Sequence, residues 1–300
     1  MNKNKSFRLY RREKNRFFDY LLYCVFFLLA LVTLFPFYNV LILSVANTVS
    51  YAKHVPYLLP YTIDLTGYKT IMNDMYFFKS LLVTLFVTVV GTLFNMTFSV
   101  STAYVLSRKK LPGRNFFLMY ILFTMLFSGG MIPTYLIVCK LGLSNSIWSM
   151  IFPTMLNTFY IIIMKNYFQG LPVSLEEAAR IDGANDFQIL TRIYLPISKP
   201  FMATFALFYA VERWNEWWNA YLYIIDKDLK PLQLYLKDVL ILYDTQLASQ
   251  LKSMAESKMQ IFSQSIQMST ILITMIPILC VYPFVQKYFV KGIMIGSVKE

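Results

Sequence analysis

Two stretches of the chain hold polar residues at spacings that matter chemically. The first reads Leu171-Pro-Val-Ser-Leu-Glu-Glu-Ala-Ala-Arg-Ile-Asp-Gly-Ala184, followed by Asn185-Asp-Phe-Gln-Ile-Leu-Thr-Arg-Ile-Tyr-Leu-Pro196. Ser174 with Glu177 three residues later predicts a capping box, and Glu176 and Glu177 suit the positive end of a helix dipole. Gly183 stands where a helix would stop on a left-handed residue. Asn185 and Gln188 repeat the capping spacing, and Pro196 disfavours helical backbone at Leu195 and is expected to end the second helix. The spacing therefore predicts two short helices joined by a tight turn, with Ala178 and Ala179 small enough to let another surface approach closely. A plain connector, with Glu177 serving only as a cap, is the other reading of these residues.

The second stretch is Val211-Glu-Arg-Trp-Asn-Glu-Trp-Trp-Asn219, inside an apolar run. A charge near the centre of a bilayer costs roughly 2.5–3.5 kcal/mol on insertion scales, so these three need pairing, a wet cavity or an interfacial position. Glu212 with Arg213, or Glu212 with Glu216 through a bridging group, would lower that cost. One reading is an interfacial belt, where Trp commonly sits. The other is the lining of a translocation path, with Trp faces for stacking and Asn and Glu side chains for hydrogen bonds to a solute. One helix cannot aim Trp214, Asn215, Glu216, Trp217, Trp218 and Asn219 at a single cavity. Residues three or four apart share a face, so Asn215 with Trp218 or Asn219, and Glu212 with Asn215 and Glu216, are the compatible sets.

Catalytic patterns are missing. No GxxxxGK[ST] loop, zincin motif, nucleophile elbow or paired-carboxylate site occurs, so the chain reads as no enzyme, and ATP would have to be bound elsewhere. Cys24, Cys139 and Cys280 are isolated, and the lone His54 cannot make a metal site.

The elements that must carry these residues are membrane helices. Of the 300 residues 57% are hydrophobic and only 15% charged, too few charges to coat a water-facing surface. Mean hydropathy is +0.51. Runs near 18–45, 79–106, 116–138, 147–168, 200–225 and 263–286 each reach the roughly 20 apolar residues that a spanning helix needs. Pro36, Pro133, Pro153 and Pro283 lie in or beside them, and Asn95, Thr97, Ser99, Ser101 and Thr102 suit helix contacts. The formal net charge of +12 sits largely in flanks of apolar runs, which argues against a nucleic-acid face. With the amino terminus inside, 18 of the 28 basic residues fall in inner segments, so both termini are expected in the cytoplasm. The first run is too long for a signal peptide and should remain as an anchor. The resulting division is a basic tail over 1–17, a membrane domain over 18–290 containing the inner loop 169–199, and a tail over 291–300. The outer loops at 46–78 and 226–262 are long and mixed enough in composition to be folded. A secondary transporter or channel for another polar solute has the same composition, but no internal inverted repeat is visible.

Glu177-Ala178-Ala179, three residues, Gly183, nine residues, then Ile193-x-Leu195-Pro196 resembles the EAA signature of permease subunits of ATP-binding-cassette importers. Leu34–Ser44, Ala103–Arg108, Gly130–Tyr135, Leu141–Asn145, Trp214–Trp218 and Gly292–Lys299 are similar to carbohydrate-importer permeases of the maltose type. Gly130–Tyr135 and Pro231–Tyr235 look closest to the branch handling complex oligosaccharides and polysaccharide fragments. The resemblance implies an all-α type I importer fold with six transmembrane helices and a cytoplasmic coupling helix that docks into an ATPase subunit. Glu177 would face a basic residue there, and Gly183 would shape the turn. It further implies a second permease, two ATPase subunits holding ATP and Mg, and an extracellular solute-binding lipoprotein. The carboxyl tail would reach the ATPase interface.

Overall fold

A computed structural model describes residues 16–46, 59, 62–250 and 264–280. They are helical, with no strand beyond an isolated bridge between Ala46 and Ile63. The first run forms α1 (Arg16–Ser44), continuous through Pro36. The second forms α3 (Met75–Ser107), begun by the Asp74 carboxylate, which accepts from the Tyr76 N–H at 2.9 Å. These two are long and apolar enough to cross a membrane. Between them, α2 (Thr66–Met72) lies in the expected outer loop.

The third, fourth and fifth runs are interrupted. The third divides into α4 (Arg114–Leu126) and α5 (Met131–Lys140), bent by 114° and making a third span only if the pair is counted as one. The bend falls at Gly129-Gly130, and Gly130 has φ +87°, which a side chain would resist. The fourth starts with a 3₁₀ turn over Ile147–Met150 and irregular chain past Pro153. The Asn157 side chain then caps α6 (Thr158–Gln169), accepting from Phe159 N–H at 3.1 Å. After α6 come α7 (Val173–Ile181), α8 (Asp186–Ile189), a π-turn over Leu190–Tyr194 and α9 (Leu195–Ile197). The fifth run is α10 (Lys199–Trp214) and α11 (Trp218–Tyr223), with a break between them. An apolar run reports what is kept from water, not whether the helix is continuous, which is why the sequence reads these as single rods. The second long loop holds α12 (Leu232–Gln250), and the sixth run begins as α13 (Gln264–Cys280). Pro283 and residues 281–286, the carboxyl tail, and the basic tail up to residue 15 lie outside the described residues.

α3 is the axis of the molecule, with α6 and α10 packed along it. The Ser99 hydroxyl meets the Tyr209 hydroxyl at 2.7 Å, and the Asn95 amide donates to the Thr154 carbonyl at 3.2 Å. Both are buried, so the expectation that this polar face makes helix contacts holds for them, while Ser101 turns back to its own Thr97 carbonyl. α1 joins this body at its last turn. There Ser265 and Ser269 of α13 donate to the Ser44 carbonyl at 3.1 and 3.0 Å. A Cβ on Gly67 of α2 would come within 2.8 Å of the Ser269 hydroxyl, so this junction needs the glycine for closeness.

Candidate functional site

The loop after α6 folds as the predicted helical hairpin, with changes at two of its prolines. α7 starts at Val173 on Pro172, whose φ of −59° already suits a helix entry, so Ser174 falls inside the first turn and makes no cap bond. The Ser174–Glu177 capping box is therefore absent. At the other end the match is complete. Gly183 has φ +81°, its N–H donates to the Arg180 carbonyl at 3.1 Å, and Ala184 N–H donates to the Ala179 carbonyl at 2.9 Å. This pair of bonds is the Schellman closure. The Asn185–Gln188 box also forms, with both bonds at 2.9 Å. Pro196 does not end the helix. A proline ring crowds the carbonyl four residues back, and the π-turn upstream widens the spiral, with Leu195 N–H reaching Leu190 O. The backbone runs on through α9.

Glu177 and Ala178 face outward, while Ala179 is buried with Tyr104, Phe168, Ile189 and Tyr194. Ile193 and Leu195 are half-buried against the same cluster, and Pro196 is exposed. The carboxylate that secures the hairpin is Glu176. It pairs with Arg108 at the end of α3 and with Arg180, one turn on, at 3.0 Å. The Arg108 guanidinium lies over the rings of Tyr104 and Tyr194, 4.0 and 4.9 Å from their centroids. Arg180 also reaches Asp186 at 2.5 Å, and the Tyr104 hydroxyl donates to the Asp186 carbonyl at 3.1 Å. The Arg108 and Glu176 side chains are only 17% and 16% exposed, so desolvation opposes this pair; the mutual attraction and the stack on the two rings offset it, while Arg108 Nε and Nη2 meet no hydrogen-bond acceptor among the described residues. A cavity of about 660 Å³ lies between the α3–α4 turn and α7. Sequence reading missed the pair because its partners are 68 residues apart; the acidic first turn of α7 and the basic end of α3 were the available signals.

The fifth run separates its polar residues. Arg213 is buried and meets no carboxylate among the described residues, so the expected Glu212–Arg213 pairing does not form. Its guanidinium donates to Asn95 Oδ1 at 3.0 Å, to the Met150, Ile151 and Thr154 carbonyls at 2.6, 3.3 and 2.7 Å, and to the Thr154 hydroxyl at 2.8 Å. Glu212 is exposed and accepts from the Tyr160 hydroxyl at 2.7 Å. Trp214 is turned into a core with Ile71, Phe77, Leu232 and Ile266. Glu216 is not bridged to Glu212; it accepts from the N–H and side-chain amide of Asn219, both at 2.9 Å, and so caps α11. Asn215 is exposed, its amide on the Val211 carbonyl at 2.9 Å and its oxygen accepting from Gln233 at 3.3 Å. Trp218 is 47% exposed. Of the sets read from the sequence, Asn215 with Trp218 stays on the surface, whereas Asn219 is buried.

The family of binding-protein-dependent transport system inner membrane components matches residues 98–295. The polygalacturonan/rhamnogalacturonan transport system permease YtcP of Bacillus subtilis (strain 168) is 44% identical over 286 residues, 95% of this chain and 99% of its own. The arabinooligosaccharides transport system permease AraQ of Halalkalibacterium halodurans is 25% identical over 298 residues, 96% of this chain and 99% of its own. Among solved structures, a bacterial ABC transporter involved in the import of the acidic polysaccharide alginate has a chain that superposes with a TM-score of 0.83 at 34% identity. The match covers 92% of this chain and 98% of that one.

Proposed function

The chain belongs to the family of binding-protein-dependent transport system inner membrane components, and from that premise we propose that it forms half of the pathway by which a carbohydrate, an oligosaccharide or polysaccharide fragment, enters the cell. Members of this family are membrane-spanning, non-enzymatic subunits that work with an ATPase and a solute-binding protein. In the finer reading, a second, different permease supplies the other half, two ATPase subunits hold ATP and Mg, and an extracellular lipoprotein delivers the sugar. Both termini face the cytoplasm, which places the α7–α9 hairpin on the ATPase side and the α11–α12 region outside. The sugar class follows the relatives named for polygalacturonan, rhamnogalacturonan and arabinooligosaccharides.

One observation carries the coupling role. The hairpin is locked to α3 through Glu176, Arg108 and Tyr194, yet leaves Glu177 and Ala178 uncovered on its outer face. A connector has no use for such an arrangement, whereas a surface that must receive a push and pass it to a spanning helix requires it. The test is purification of the tagged chain from a host expressing the whole operon-sized set of subunits. ATPase and second permease should accompany it, and liposomes containing the assembly should take up oligosaccharide only with ATP inside. Uptake by this chain alone, without ATP, would return the reading to a secondary transporter.

A further inference from the structure

The break between α10 and α11 turns a row of aromatic side chains outward. Trp217, Trp218 and Tyr221 are 38%, 47% and 56% exposed. Trp218 and Tyr221 lie nearly parallel, with centroids 6.3 Å apart and planes 28° off. α12 brings a cation to this shelf: Lys237 Nζ stands 3.8 Å from the Tyr221 centroid and 4.4 Å from that of Trp217. Two other lysines of this region are paired, Lys79 with Asp228 and Lys230 with Asp238, at 2.6 and 2.5 Å. Among the described residues Lys237 meets no carboxylate. One turn before it on α12, Gln233 holds the Asn215 amide, so two groups that can bond hydroxyls border the shelf.

Aromatic faces, amides and a cation with no counter-ion among the described side chains together match one ligand chemistry. A pyranose ring offers an apolar face to an aromatic surface and hydroxyls at its edge, and a uronate adds a carboxylate at C5. We propose that Asn215, Trp217, Trp218, Tyr221, Gln233 and Lys237 form a subsite for a uronate residue of an entering saccharide, with Lys237 selecting its carboxylate. The proposal rests on the transport reading above and adds the charge of the substrate and the residue that reads it. An ammonium held against two ring faces is fixed in position, which makes it a selective contact for a carboxylate rather than a general surface charge.

The test uses the complete importer in liposomes, with solute-binding protein saturated by either of two trisaccharides of matched shape, tri-galacturonate and its methyl ester. Lys237→Gln should lower ATP-driven uptake of the acid about tenfold relative to the ester, the discrimination that one charge-assisted hydrogen bond supplies. Lys237→Arg should keep the preference, which separates loss of charge from loss of folding, and Trp218→Ala should lower uptake of both. Equal loss for the two sugars in Lys237→Gln overturns the subsite. So does a loss seen only in vesicles containing anionic lipid, since a lysine seated on lipid phosphate behaves that way. Wild-type uptake of the ester without the acid overturns the subsite and leaves the transport reading intact; uptake of no saccharide overturns both.

Discussion

A guanidinium buried without a carboxylate persists only where its N–H groups all find oxygen. Arg213 has five such bonds, and they staple the irregular segment 150–154 to α3 and α10. Arg213→Met would remove the donor to the Met150 and Ile151 carbonyls and to the Asn95 oxygen, leaving the Thr154 carbonyl with the Asn95 amide alone, and should destabilise the chain by about 3 kcal/mol or more. Gly91→Ala reaches the same node, since its Cβ would lie 2.9 Å from Arg213 Cδ, at a cost of about 1–3 kcal/mol. Thermal unfolding of the purified assembly in detergent measures both, and unchanged melting in Arg213→Met would refute the staple. Gly183 works differently: nothing lies within 4 Å of where its Cβ would be, so only φ +81° demands glycine. Gly183→Val should therefore strain the hairpin by about 1–2 kcal/mol and uncouple ATP hydrolysis from uptake. Glu177→Ala, on the exposed face, should uncouple without lowering the melting temperature. Gly183 and the Asn185–Gln188 box were legible in sequence because their signals are local. The Arg213 bonds were not, because carbonyls 59 to 63 residues away carry no residue signature.

At the scale of elements, the hairpin is joined to α3 through α6, which precedes it in the chain and packs along α3, and by the Arg108–Glu176 pair across space. If the pair transmits displacement of α7, removing either partner should have the effect of removing both. Arg108→Gln, Glu176→Gln and the double variant are expected to lose sugar carried per ATP hydrolysed to the same extent, several-fold, while ATPase subunits still co-purify. Additive losses, or losses that track assembly, would assign the pair to folding alone. Arg108→Lys keeps charge but gives up the planar stack on Tyr104 and Tyr194, and should fall between. The long helices α1 and α3 were readable because an apolar run of such length has few other solutions. The breaks at Gly129-Gly130, Asn157 and Trp214–Trp218 leave no mark on run-averaged hydropathy, which stays apolar across them, although a Gly-Gly pair is an ordinary helix stop and an Asn an ordinary helix start.

Taken whole, the molecule is a packed body built on α3, α6 and α10 with α1 attached by one end. Along α1 the apolar side chains from Phe18 to Leu41 are largely exposed, and burial begins only at Ile42 and Leu43. A helix contributing so little to its own chain's core needs either lipid or another subunit along its length, and lipid satisfies any apolar face equally well. In an assembly of two permease halves, the outstretched helix is the element able to reach across. A photo-activated side chain introduced at Val32, which is 70% exposed, should form an adduct with the second permease in the assembled importer. The same group at Val89 of α3, 58% exposed on the packed body, distinguishes a reaching helix from general proximity. An adduct at both positions would mean that the halves meet broadly. Capture of lipid alone at Val32 would mean that α1 stands free in the bilayer and that the halves are joined elsewhere.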